Sequence, residues 1–246
     1  MQRFRDRLAE KLISRGELKF FTHLLGRFRR KAQSVLSEGL VEGQNPNRVA
    51  LGLAGRFDAN TGKREGSLIT LGDAELAQIA EFRRYVESSD SKYFDFDLRD
   101  KRFDRGVRSA IARGTTLDSD KVDNIVERFK SKLVMHAAQT IARTEMMTAM
   151  HRSEWLSIRE ALETGDLPES AVEKVWDSAG DDKVRPSHKA LDGQRVAFNQ
   201  PFVSPIAGAL MMYPGDATLG AGKDEISACR CRVRYEVDWA MRSGSE

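Results

Sequence analysis

The sequence is poor in cysteine, and its apolar residues never form a long run. Two cysteines among 246 residues are too few for a disulfide-stapled scaffold. No stretch approaches the roughly 20 consecutive apolar residues that a membrane-spanning helix needs. The first twelve residues, MQRFRDRLAEKL, carry charges throughout and do not resemble a secretory signal. We therefore expect a protein of the bacterial or host cytoplasm, or of a particle assembled there.

Short motifs of the common enzyme classes are also missing. The sequence has no G-x-S-x-G, no Walker-type G-x-x-x-x-G-K-[ST], no H-E-x-x-H and no G-x-G-x-x-G. Charged residues make up 31% of the chain, which is ordinary for a globular protein. We predict no catalytic residues and a role that depends on binding.

Positive charge is concentrated near the N-terminus, although the net charge of the chain is only +3. Residues 1–34 hold ten Lys and Arg against three acidic residues. Such a segment is either a solvated helix face or a surface for an acidic partner, nucleic acid or protein. No aromatic stacking platform is interleaved with it, so specific nucleic-acid readout is unsupported. The candidate contact residues in this segment are Arg27, Arg29, Arg30 and Lys31.

Apolar residues recur at helical spacing through most of the first 165 positions. Asp73 is placed as the N-cap of one helix, and a second helix over 97–113 ends before Gly114. Between them and the N-terminus, six glycines in residues 39–66 predict a long, partly mobile loop. The strongest pattern covers 118–165, as one helix or as two joined by a kink.

After Pro168 the apolar period shortens towards two, which is typical of strands. CRCRVRYEV at 229–237 is the clearest strand, and weaker ones are predicted at 172–176 and 194–198. The strand at 229–237 would place the cysteines on an apolar face. Its opposite face would carry three candidate partner or phosphate contacts, Arg230, Arg232 and Arg234.

These patterns predict an α+β fold. It would combine a largely helical, elongated N-terminal part with long helices and a small mixed α/β C-terminal domain with a short antiparallel sheet. We place an N-terminal region at 1–117. A second region at 118–246 would comprise the long helix 118–165 and a small domain at 171–240.

Six short motifs occur in a fixed order over roughly 120–237. They are IARTE at 141–145, KVW at 174–176, D-x-V-R-x-x-H ending at His188, LDG at 191–193, PGD at 214–216 and CRC at 229–231. In this order and spacing they resemble the phage Mu F-like head morphogenesis domain. The motif residues singled out are Arg143, Thr144, Glu145, Trp176, Asp181, Arg185, Asp192 and Gly193.

The resemblance implies a minor head protein of a tailed bacteriophage, present in the virion or procapsid and assembled in the host cytoplasm. Its implied partner is the portal protein, with scaffold protein, major capsid protein and packaged DNA as further candidates and no membrane. Several copies would be arranged cyclically on the portal. Capsid assembly, DNA packaging and DNA ejection are the processes it would serve.

His188, Cys229 and Cys231 form a candidate zinc set, because thiolates and imidazole are the ligands that zinc prefers. A fourth ligand would be needed, and Asp181, Asp182, Asp192 and Asp216 are candidates. The alternative is that both cysteines are small buried apolar residues and that His188 hydrogen-bonds within a loop. A structural zinc is therefore the one cofactor that the sequence suggests.

Two other functions remain open. A metal-dependent hydrolase or nuclease, or a toxin-associated domain, could use His188 as a general base oriented by an aspartate. A non-specific DNA-binding protein could use the basic N-terminal segment. The polar cluster around His188 is equally a hydrogen-bonded loop. We also expect Arg143 or Glu145 to tie the long helix to the small domain.

Overall fold

A computed structural model describes residues 26–241, with side chains from Phe28 onward, and confirms the predicted α+β fold. Within this range the α-helices are α1 (Gly26–Val41), α2 (Pro46–Ala54), α3 (Asp73–Glu87), α4 (Asp104–Arg113), α5 (Ser119–Glu163), α6 (Pro186–Lys189) and α7 (Lys223–Ile226). The strands are β1 (Arg56–Phe57), β2 (Arg64–Glu65), β3 (Val172–Asp177), β4 (Arg195–Ala197), β5 (Phe202–Val203), β6 (Leu210–Met211) and β7 (Arg232–Val237). No helix in the described range has the length and apolar character needed to cross a membrane.

Contacts divide the described residues into two compact units. The helical unit contains 26–35 and 47–139, and the motif unit contains 36–46 and 140–241. The division in the long helix thus falls at 139/140. The regions predicted from the sequence, 1–117 and 118–246 with a small domain at 171–240, stay predictions.

An aromatic cluster forms the core of the helical unit. Phe82 of α3 stacks on Phe129 of α5 with ring centroids 4.0 Å apart. Beside them the buried Tyr93 hydroxyl donates to Asp104 Oδ1 at 3.1 Å. Asp104 is also paired with Arg99 at 3.1 Å, so the buried carboxylate has a charged partner.

The predicted long loop at 39–66 is wrong, because most of this segment is regular. It contains the end of α1, all of α2 and the antiparallel hairpin β1–β2. Pro46 begins α2, where its missing N–H costs no helical hydrogen bond. Four of the six glycines have positive φ and lie outside the helices and strands, in the bends between them: Gly43, Gly55, Gly62 and Gly66.

Helix signals were placed more accurately. Helix α5 runs without interruption from Ser119 to Glu163, so this segment is one helix and not two. Helix α4 ends at Arg113, just before Gly114, as predicted, but it begins at Asp104 and not at 97. Asp73 is the first residue of α3 rather than its N-cap, because Gly72 takes that position and its amide donates to Glu75 Oε2 at 3.0 Å.

The motif unit contains a three-stranded antiparallel sheet in the order β4–β3–β7. The register pairs Trp176 with Val233 and Asp177 with Arg232. Strand β7 therefore begins at Arg232, three residues later than predicted, because β3 ends at Asp177 and offers no partner beyond it. Cys229 and Cys231 therefore lie outside the sheet, but their side chains are buried, as the predicted alternation requires.

Candidate metal centre

The side chains of His188, Cys229 and Cys231 meet in the interior of the motif unit. His188 Nδ1 lies 3.4 Å from Cys229 Sγ and 3.5 Å from Cys231 Sγ. All three ligand atoms lie within 4.8 Å of one another. Residue exposures of 1%, 6% and 2% respectively leave no open face on this cluster. The structure thus brings together the three residues that the sequence suggests as metal ligands.

Helix α6 and the Trp176 indole fix the position of His188. Pro186 begins this one-turn helix, which carries His188 on its third residue. The His188 ring meets the Trp176 ring edge to face at 5.1 Å. The Arg185 guanidinium donates to the carbonyl oxygens of Asp224 and Ser227. Arg185 is thereby a tie between α6 and α7.

Glu225 lies behind His188, on the side away from the sulfur atoms. Its Oε2 is 3.3 Å from His188 Nε2, and its Oε1 accepts a hydrogen bond from Ser187 Oγ at 2.9 Å. Both Glu225 and Ser187 are buried. Sequence reasoning missed Glu225, because nothing in the segment KDEI distinguishes its carboxylate from the exposed ones around it.

The two thiols influence each other strongly. The hydrogen bond with Cys231 raises the pKa of Cys229, and burial raises it further. The same hydrogen bond lowers the pKa of Cys231, assisted by His188 and the Trp176 indole N–H. The pair thus favours one thiol beside one thiolate, and the thiolate is the form of cysteine that binds metal.

Thr144 of α5 holds the loop that carries the cysteines. Its hydroxyl oxygen accepts a 2.8 Å hydrogen bond from the amide of Ala228 and donates to the carbonyl of Thr140 at 2.7 Å. Ala228 has a positive φ of 50°, an uncommon conformation for a residue with a side chain. Thr144, the residue between Arg143 and Glu145, thus ties the long helix to this loop. The tie expected of Arg143 or Glu145 stays a prediction.

The PGD turn packs on the next part of α5. His151 Nδ1 lies 2.9 Å from the Pro214 carbonyl oxygen, and the Thr148 hydroxyl donates to the Gly215 carbonyl oxygen at 3.4 Å. The buried Asp216 carboxylate accepts hydrogen bonds from the Met212 and Thr218 amides. The turn is therefore held from both sides.

Three of the four carboxylates considered as a fourth ligand are engaged elsewhere. Asp181 forms a two-pronged pair with Arg230, which lowers the pKa of Asp181 to about 2. Asp192 accepts the Ser178 amide at 2.7 Å, and Asp216 holds its own turn. The fourth, Asp182, is exposed, whereas the cluster of His188 and the cysteines is buried.

The arginines of the CRCRVR segment have acidic neighbours within the motif unit. Arg230 pairs with Asp181, Arg232 with Asp177 at 3.3 Å, and Arg234 with Glu236 at 3.4 Å. A phosphate or an acidic partner would have to compete with these carboxylates. A partner contact at these arginines stays a prediction.

The basic residues of the N-terminal segment are only partly within the described range. Arg29, Arg30 and Lys31 are exposed on α1. Residues 1–25 and the side chain of Arg27 lie outside the described part of the chain. A partner contact through this segment also stays a prediction.

The six motifs thus converge in one unit. Thr144 of IARTE binds the cysteine loop, and Trp176 of KVW packs on His188. The arginine and histidine of D-x-V-R-x-x-H contact α7 and the residue that follows it, and the PGD turn packs on α5. In LDG, the Asp192 carboxylate accepts the Ser178 amide and the Gly193 amide donates to the Trp176 carbonyl oxygen at 2.9 Å. The motif side chains thus hold neighbouring segments of this unit together.

The same part of the chain is similar to known proteins. The family model described as Phage Mu protein F like protein matches residues 101–234. Minor head protein GP7 of Bacillus phage SPP1 is 26% identical over 137 residues, which cover 56% of this chain and 42% of that relative. The chain thus spans less than half the length of the curated relative it matches. No solved structure matches the chain.

Proposed function

The chain belongs to the phage Mu protein F like family, whose members serve in bacteriophage head morphogenesis, and on that premise we propose that it is a minor head protein associated with the portal. It acts in capsid assembly and in DNA packaging and ejection by binding other head components. The observation that carries this proposal is the set of contacts that the motif residues make within the motif unit. Their side chains hold a folded unit together, which is what we expect of a structural part that acts by binding.

The alternative of a hydrolase or nuclease centred on His188 is disfavoured by burial. A general base must come within hydrogen-bond reach of a substrate proton, about 3 Å. His188 is 1% exposed, and both of its ring nitrogens face groups of the protein itself. A substrate could reach it only if α6 or the cysteine loop moved away.

Basic residues on α1 are the proposed contact with the portal. Arg29, Arg30 and Lys31 are three consecutive exposed residues of this helix. Positively charged side chains attract an acidic surface over about one Debye length, roughly 8 Å at physiological salt. Copies bound to a portal ring would share its cyclic symmetry. We propose DNA as a second partner of this segment. Loss of the chain's affinity for duplex DNA at physiological salt would exclude that partner.

Co-sedimentation with the portal ring encoded beside this chain tests the proposal. At physiological salt we expect the full chain to pellet with the ring, and the triple variant Arg29→Glu, Arg30→Glu, Lys31→Glu to stay in the supernatant. The matched control reverses the same amount of charge at the exposed residues Lys101, Arg105 and Lys130, and should still pellet. Absence of the full chain from the pellet would refute portal association. Loss with both triple variants would show that net charge, and not α1, determines binding.

A further inference from the structure

We propose that the motif unit binds a zinc ion through His188 Nδ1, Cys229 Sγ and Cys231 Sγ, with Glu225 as the partner that orients the His188 ring. This inference does not depend on portal association. It follows from the distances among the three ligand atoms, from the two-sided environment of the imidazole and from the burial of the cluster.

The distances match those of a tetrahedral zinc site. With bonds of about 2.3 Å to sulfur and about 2.05 Å to nitrogen, two such ligands in tetrahedral geometry are about 3.6 Å apart. The observed separations are 3.4 and 3.5 Å from the nitrogen to the two sulfur atoms. The two nitrogen-to-sulfur separations are therefore those of ligands that share one zinc ion, and all three ligand atoms lie within 4.8 Å of one another.

His188 Nδ1 by itself cannot form a good hydrogen bond with both sulfur atoms at once. A neutral imidazole with an unprotonated Nδ1 offers one lone pair, so it can accept from only one of the two thiols. A protonated Nδ1 could donate well to only one sulfur. A metal ion satisfies the nitrogen and both sulfur atoms at once, since it bonds to each.

The opposite ring nitrogen has the environment that zinc-bound histidines typically have. A ligating imidazole usually donates its other N–H to a carboxylate or carbonyl, which fixes the ring orientation and tautomer. Here His188 Nε2 faces Glu225 Oε2 at 3.3 Å, and neither atom has another hydrogen-bond partner among the described residues. Ser187 and the contacts of Arg185 to the α7 backbone hold Glu225 in place.

Ligand chemistry favours zinc over harder ions. Two thiolates and an imidazole suit Zn²⁺, whereas Mg²⁺ and Ca²⁺ require oxygen ligands. The described residues provide three ligands in this cluster, so a tetrahedral ion would need one further ligand, such as a water molecule enclosed with it. Because the cluster joins the α6 segment to the cysteine loop, the ion would cross-link two parts of the motif unit that are 41 residues apart.

Metal analysis of the purified, reduced full chain tests the proposal. We expect about one zinc per chain in the wild type, and a lower melting temperature after chelation that zinc restores. Cys229→Ser and Cys231→Ser should lose the metal and the response to chelator. His136→Ala changes an exposed histidine of the helical unit and should retain both. Glu225→Gln should keep the site but bind zinc about 10- to 100-fold more weakly.

Cobalt substitution provides a measurement that does not depend on the variants folding. Co²⁺ in the wild-type chain should give the intense visible bands of tetrahedral coordination and a thiolate-to-cobalt charge-transfer band. A reduced wild-type chain that takes up neither zinc nor cobalt, or whose melting temperature ignores chelator, would overturn the proposal. Zinc that is retained by both cysteine variants would place the metal elsewhere in the chain and also overturn it.

Discussion

His151 is a buried histidine whose ring is hydrogen-bonded to a backbone carbonyl. Its Nδ1 lies 2.9 Å from the Pro214 carbonyl oxygen, which can only accept, so Nδ1 carries the proton of a neutral ring. Burial is the largest influence and lowers the pKa of His151 from 6.5 to about 4. The folded protein therefore keeps this side chain neutral at pH values where the unfolded chain protonates it.

This difference predicts a pH dependence of stability with a definite sign. Between pH 6.5 and 4 the unfolded state binds the proton and the folded state does not, so the free energy of unfolding falls as the pH is lowered through this window. The contribution is fully present above pH 6.5, and its loss by pH 4 is on the order of 3 kcal/mol. Urea unfolding of the wild type at pH 7 and at pH 4.5 measures it.

The variant His151→Gln isolates this contribution from the other groups that titrate. Glutamine can donate to the Pro214 carbonyl but cannot become charged in this range. We expect the variant to lose less stability than the wild type between pH 7 and pH 4.5. Parallel losses in the two proteins would show that His151 does not titrate as its burial implies.

At the scale of elements, Gly215 marks the closest approach between the PGD turn and α5. Its φ is +88°, and a Cβ atom there would lie 2.4 Å from Thr148 Oγ1. Gly215→Ala should therefore combine about 1–2 kcal/mol of backbone strain with about 1–3 kcal/mol of steric conflict. Urea unfolding should show a loss of stability of about 2–5 kcal/mol.

Gly220 offers a matched control in the same unit. Its φ is +90°, but an added Cβ would meet nothing within 4 Å. Gly220→Ala should therefore lose only the backbone part, about 1–2 kcal/mol. If the two substitutions had equal effects, the contact between the turn and α5 would contribute nothing measurable. Thr148→Ala should partly rescue Gly215→Ala, because it removes the conflicting oxygen.

Periodicity in the sequence predicts the elements whose apolar faces lie within one segment. The uninterrupted α5, the end of α4 and the central strand β3 are of this kind. The segment 39–66 was misinterpreted because its glycines mark element ends, which composition alone does not distinguish from a loop. The start of β7 depends on where its neighbour β3 ends, a long-range fact that local spacing does not contain.

The candidate site was only partly accessible from the sequence. Residue chemistry identifies His188 and the two cysteines, because few other side chains bind soft metals. Glu225 and Thr148 could not be identified, since their roles arise from contacts with residues 37 and 67 positions away. Ion pairing of the CRCRVR arginines likewise depends on the folded sheet and adjoining loops.

At the scale of the whole molecule, the family model matches only part of the chain. The family model matches 101–234, so most of the helical unit and the basic N-terminal segment lie outside it. The matched part contains all six motifs and the candidate metal centre. The unmatched part contains α1, whose exposed basic residues are the proposed partner contact. The region that the family model matches and the region that we propose as the partner contact are therefore different parts of the chain.

The central claim is that this chain is a component of the phage head. Quantitative mass spectrometry of heads purified from a lysate of the phage that encodes it, with separated tails as the comparison, tests this claim most directly. We predict the chain in the head fraction, at a small number of copies relative to the major capsid protein, and its depletion from tails. Its absence from both immature and DNA-filled heads, at a sensitivity that detects the portal protein, would contradict the claim.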